Sequence, residues 1–198
     1  MFEVYFRLGF EHIADIAGYD HILFVAALCA VYRIRDWKPL LILVTAFTIG
    51  HSITLALATV GAITVEGDWI EIAIPFTILV TSMLNIRDHS DPEEPHRAFD
   101  PTHRVKYILA LGFGLVHGLG FSSFLRAVLG GEESILLHLF AFNVGLELGQ
   151  VMIAAGFLLL SLFMVAVVGM NRREWNLVLS GGTGGISIML MVEKFLGA

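Results

Sequence analysis

The stretch FNVGLELGQVMIAAGFLLLSLFMVAVV, residues 142–168, decides the fold class. Its one charged residue is Glu147. A helix of that length crosses a hydrocarbon core of about 30 Å at about 1.5 Å per residue. The run lacks the period-2 alternation of a membrane barrel strand. Asn143, Glu147 and Gln150 fall at i, i+4 and i+7, so they share one helix face. Gly145 and Gly149 bracket Glu147, a small-residue pair that lets another helix approach closely. Charge at a membrane helix centre costs about 2.5–3.5 kcal/mol, so this face belongs inside the protein.

Similar runs recur along the chain. Hydrophobic residues make up 57% of the 198 and charged residues 15%, against about 25% charged in a soluble domain. Six spans are expected: Asp20–Tyr32, Pro39–Ala62, Trp69–Ile86, Val105–Leu129, Phe142–Val168 and Trp175–Phe195. The first is short unless its helix begins before Gly18. Phe2–Ala17 reads as an amphipathic helix, lying at the interface or re-entrant and folded back onto the bundle. A second short helix is expected over Glu133–Ala141. The result is an all-α polytopic membrane helix bundle, with residues 1–198 forming a single transmembrane domain.

The net charge of -6 is scattered. There is no basic stripe, which argues against a nucleic-acid partner. Cys29 sits in an apolar run as a packing residue. Met1–Tyr19 carries Glu3, Glu11 and Asp15 and does not read as a signal peptide. The expected partners are the lipid bilayer and a metal ion, and the composition leaves a homo-oligomer open. Lys and Arg gather in alternate loops: Arg33, Arg35 and Lys38, then Arg87, Arg97, Arg104 and Lys106, then Arg172 and Arg173. The loops Ile63–Asp68 and Gly130–Ser134 have none. Positive charge stays on the cytoplasmic side, so both termini are expected outside.

This orientation gives each polar residue a depth. Asp20 and His21 fall at the outer end of the first span. His51 and His117 lie near the middle of the second and fourth. Glu71 is at the outer end of the third, and Asn143, Glu147 and Gln150 occupy the outer turns of the fifth. Ser52 shares a face with Thr48 and His51. All lie between the outer surface and the midplane, which points to one site in the outer half of the bundle. Imidazole nitrogens with carboxylate oxygens suit zinc, nickel, cobalt or iron better than magnesium or calcium. His12 precedes His21 by nine residues, about half a turn out of phase on one helix. It joins the site only if the chain bends, which Gly18 permits. His138 points about 140° from Asn143 on a continuous helix and is left out. His89, His96 and His103 read as solvated. Gly181–Gly185 reads as a close-packing segment, since it lacks the lysine of a phosphate loop.

The segments HIADIAGYDHILF, FTIGHSITL, WIEIAIPFTILVTSMLN, FGLVHGLGF and FNVGLELGQ, in this order, resemble the HupE/UreJ family of membrane proteins. Members are regarded as nickel or cobalt permeases. The resemblance implies metal handling by His12, Asp20, His21, His51, His117 and Glu147, with Ser52, Glu71, Asn143 and Gln150 as supporting polar groups. The spacing between His12 and Asp20-His21 differs slightly from the best-studied nickel permeases, so nickel, cobalt and zinc all stay open as the metal. The expected location is a bacterial inner (plasma) membrane.

The leading expectation is a divalent transition-metal permease. The alternative is an intramembrane metal-dependent (zinc) hydrolase, with His51, His117 and a third histidine on the metal and Asp20 or Glu147 as general base. A metal-sensing or scaffold subunit is a third reading. The alternatives arise because the inner half looks dry: Leu40–Val44, Ile108–Leu111 and Gly156–Val168 offer almost no ligands. Only Ser82, Asn85, Ser180, Thr183 and Ser187 offer a polar exit.

Overall fold

A bilayer leaves no water for backbone N–H and C=O groups, so long apolar runs satisfy them internally as helices. The structure, a computed structural model, describes residues 1–16, 18–63, 69–88, 101–129 and 135–196. It holds seven α-helices among them: α1 (Phe2–Ala14), α2 (Asp20–Cys29), α3 (Trp37–Thr59), α4 (Trp69–Arg87), α5 (Pro101–Leu129), α6 (Ile135–Ala166) and α7 (Arg172–Leu196). No strand occurs among the described residues. Five helices, α3 to α7, are long and apolar enough to cross a membrane. Of the separate short helix expected over Glu133–Ala141, residues 135–141 are instead the start of α6, since no glycine or proline interrupts Ile135–Asn143, while residues 133 and 134 lie outside the described residues. Helix α3 closes on Gly61 at φ 75°, with Ala62 N–H donating to Leu57 O at 2.9 Å and Gly61 N–H to Ala58 O at 3.1 Å. Glycine adopts this left-handed cap without strain.

Glycines set the helix pairs. A Cβ on Gly50 would meet the Leu111 backbone, one on Gly114 the Phe47 backbone, and one on Gly118 the His51 backbone. Gly114 faces Phe47 and the His51 amide while Gly118 faces His51 and Thr54, so α3 and α5 run parallel in close contact. Helices α4 and α7 run antiparallel. Lys194 pairs with Glu71 at 2.6 Å at one end, Ser82 meets Thr183 at 2.9 Å midway, and Asn176 Nδ2 donates to Asn85 O at 2.8 Å near the other. Of the glycines at 181–185 only Gly184 meets a neighbour, the Ser82 side chain, within 4 Å.

Helix α1 packs into the bundle parallel to α6. A Cβ on Gly145 would meet the Phe6 backbone, one on Gly149 the Ile13 side chain, and the Tyr5 ring stacks on His138 at 4.3 Å. Of the two placements expected for Phe2–Ala17, this is the folded-back one. Helix α1 thus ends beside Gly149, near the middle of α6. Helix α2 continues in the same direction, with Cys29 Sγ donating to Ala154 O at 3.9 Å and Asn85 Nδ2 to Ala27 O at 2.6 Å. The ten residues of α2 cover only about 15 Å. Together α1 and α2 make one crossing that is broken between Ala14 and Asp20.

This changes the depth of Asp20 and His21. They stand near mid-depth, at the break, not at the outer end of a full span. Counting inward from the start of an apolar run assumes an unbroken helix, which this segment is not. The break runs through Asp15, extended at φ -66° and ψ 118°. The α1 and α6 starts share one end of the bundle, as do the α7 end and the α4 start, so both chain termini lie at that end. Arg87, Lys106 and Arg173 gather at the other, where Arg173 donates to Ile86 O at 2.6 Å and Asp88 O at 2.9 Å.

Candidate metal centre

The break puts the last turn of α1 beside the first turn of α2. The rings of His12 and His21 lie 4.6 Å apart, centre to centre. His51, from the middle of α3, stands 5.8 Å from His12 and 6.0 Å from His21. One nitrogen from each of the three lies within 4.8 Å of the other two. Nitrogens around a tetrahedral ion with bonds of about 2.0–2.1 Å are about 3.3 Å apart, so small ring rotations would close the set.

Hydrogen bonding shows which lone pairs stay open. His51 is fully buried, and neither ring nitrogen has a hydrogen-bond partner. The Nε2 atoms of His12 and His21 are likewise buried without one. Leaving a buried polar atom unsatisfied costs about 1–3 kcal/mol, and an imidazole lone pair also suits a transition ion. Asp20 Oδ1 accepts from His21 N–H at 2.9 Å and from His21 Nδ1 at 3.0 Å. That bond leaves Nε2 as the lone-pair nitrogen, the arrangement in which a carboxylate orients a metal-binding imidazole. The residues therefore fit a divalent ion held by imidazole. The carbonyls ending α1 also favour a cation, as the negative end of its dipole.

His117 adjoins the trio without being part of that close set. Its ring lies 5.1 Å from His21, between Phe24 at 5.1 Å and Phe47 at 5.0 Å. Thr77 Oγ1 donates to Ile74 O at 2.7 Å, so it accepts from His117 Nε2–H at 2.9 Å. His117 Nδ1 is left buried without a partner. Gly114 and Gly118 bring α5 against the backbone of α3 at His51, which places the two histidines side by side.

None of the remaining expected residues belongs to the close histidine set. Glu147 Oε1 accepts from Thr45 Oγ1 at 2.6 Å, while its buried Oε2 has no hydrogen-bond partner. Gln150 accepts from Thr48 Oγ1 at 2.7 Å. These two bonds tie α6 to α3. Asn143 Oδ1 is buried without a hydrogen-bond partner, and Ser52 Oγ donates to Thr48 O at 2.6 Å. Glu71 forms an exposed ion pair with Lys194, of a kind worth little to stability. His89, His96 and the side chain of His103 lie outside the described residues. Thr77 was not singled out from sequence. Its signal was there: Thr77, Thr81 and Asn85 fall at i, i+4 and i+8 on α4.

Two openings flank the histidines. A groove of about 710 Å³ reaches His12 between Glu11, Asp15, Phe121 and Phe124. A cavity of about 380 Å³ lies towards the opposite end, with Tyr32, Thr81, Asn85, Asp88, Lys106 and Phe113 in its wall. The half of the bundle expected to be dry therefore holds a partly polar cavity. The charged residues Asp88, just past α4, and Lys106, in the second turn of α5, enter its wall from the ends of the apolar runs.

A bundle of apolar helices, one crossing broken at mid-depth and imidazoles gathered at the break, defines a polytopic membrane protein with a buried histidine cluster. The family profile described as HupE / UreJ protein matches residues 1–196, and the chain belongs to that family of membrane metal-transport proteins. Comparisons with curated proteins and with solved structures found no significant match.

Proposed function

We propose that this chain is a divalent transition-metal permease of nickel or cobalt type, with the ion as its cargo. His12, His21 and His51 are the primary ligands. Asp20 orients His21, and His117, held by Thr77, is the next position along the path. Three imidazoles with open lone pairs, meeting where a transmembrane helix breaks, carry the reading. Broken helices build ion sites in membrane transporters because their free backbone ends face the ion from within the protein. Asp15 in the wall of the groove would attract the cation before it sheds water. With the Lys/Arg-rich end inside, the groove faces out and the cavity faces the cytoplasm.

The hydrolase alternative needs a carboxylate free to act as base beside the ion. Asp20 Oδ1 is engaged by His21, and neither Asp20 nor Glu147 joins the close histidine set. Two openings on opposite sides also suit passage better than hydrolysis.

Titration of purified protein with nickel or cobalt tests the ligand set. One ion should bind per chain, and His51→Ala should weaken binding beyond the roughly 100-fold that loss of an outer-shell partner costs. Unchanged affinity in His51→Ala would reject the trio as the site.

A further inference from the structure

The cavity of about 380 Å³ is enclosed by α2, α3, α4 and α5. Two walls link it to the histidines. Phe113 precedes His117 by one turn of α5. Thr81 follows Thr77 by one turn of α4, its Oγ1 donating to Thr77 O at 2.9 Å, and Thr77 is the hydroxyl that holds His117. One turn is about 5.4 Å, so the closed end of the cavity stops a single turn short of His117. Phenylalanine rings fill the gap, with Phe24 lying 4.6 Å from Phe47 and 6.2 Å from Phe113.

At the far end Lys106 Nζ donates to Asp88 Oδ2 at 2.8 Å, with the ammonium-bearing side chain 28% exposed and the carboxylate 14%. The same ammonium lies 6.0 Å from the centre of the Tyr32 ring. It therefore has a second place to go, since an ammonium is attracted to an aromatic face. A carboxylate this shielded requires a positive partner. Lysine supplies one as a compact charge on a flexible stem.

We infer that this cavity is the release vestibule of the ion path and that Asp88 is its receiving ligand for a divalent cation. Lys106 holds the carboxylate whenever the cation is absent. The inference rests on the permease reading. A divalent ion carries twice the charge of the ammonium, so it displaces Lys106 towards Tyr32. The returning ammonium then displaces the ion into water. The donors differ as release requires. The histidines offer nitrogen, whereas the vestibule offers oxygen from Asp88, Thr81 and Asn85, which binds a borderline transition ion less tightly. The three phenylalanines separate the two chambers.

The test uses full-length protein in proteoliposomes with nickel as the probe. Asp88→Asn should slow uptake about tenfold while equilibrium binding stays within about twofold of the unaltered protein, a loss confined to passage. Asp88→Glu should recover most of the rate. Uptake by Asp88→Asn within about twofold of the unaltered rate overturns the vestibule alone. If the unaltered protein neither binds nor carries nickel, the permease reading fails and takes the vestibule with it. A second variant guards against misfolding of Asp88→Asn. With Cys29→Ala removing the buried native thiol, Thr81→Cys should react with a charged, membrane-impermeant thiol reagent from the Lys/Arg-rich end, and nickel should slow that reaction. A thiol inert from that end, or one labelled only from the other, overturns the inference.

Discussion

At the scale of single residues, a buried histidine is defined by what its two nitrogens do. Each of His21 and His117 has one nitrogen fixed by a neighbour, Asp20 or Thr77, and the other left open. Asp20→Ala should therefore lower metal affinity by about 10–100-fold without removing a ligand, the usual effect of losing an outer-shell partner. Thr77→Val should change affinity less, because His117 lies beside the close set and not in it. Equal losses in both variants, read by metal titration, would contradict this order. The sequence made the polar residues of the apolar runs visible, and helical phase grouped those on one helix. It did not give the angle of one helix about another. Glu147 and Gln150 have the depth expected of the site, yet their bonds run to Thr45 and Thr48.

At the scale of elements, the broken crossing is the feature that composition hid. Phe2–Ala14 looks amphipathic because Arg7 and Glu11 pair on its exposed side at 2.7 Å, and such a helix normally lies at a membrane surface. What draws α1 inward is the smoothness of α6 at Gly145 and Gly149. Gly145→Leu should detach α1, lower the thermal midpoint and weaken metal binding together, since His12 rides on α1. Gly156→Leu, where an added Cβ meets nothing within 4 Å, should change neither. Equal behaviour of the two variants in melting and metal titration would remove the reason given for the bend. The five long spans were legible because a run of some 20 apolar residues has one stable form in a bilayer. Their ends were less legible: α6 begins at Ile135, seven residues before the expected Phe142.

At the scale of the whole molecule, α3 and α5 run parallel and α4 and α7 antiparallel, so both termini lie at the end opposite Arg87, Lys106 and Arg173. In the orientation proposed above from the positive-inside rule, that end is external. A reporter fused after Ala198 should be active only outside the cytoplasm, and activity in the cytoplasm would invert the path from groove to vestibule. The central claim is passage of a metal ion through the histidine trio. The measurement that tests it most directly is nickel or cobalt uptake into proteoliposomes down a metal gradient, run in parallel for the unaltered protein and His51→Ala. The unaltered protein should accumulate the ion faster than empty liposomes, and His51→Ala should fall to the empty-liposome rate. Tight binding by the unaltered protein with no uptake, or uptake that survives His51→Ala, would contradict the account.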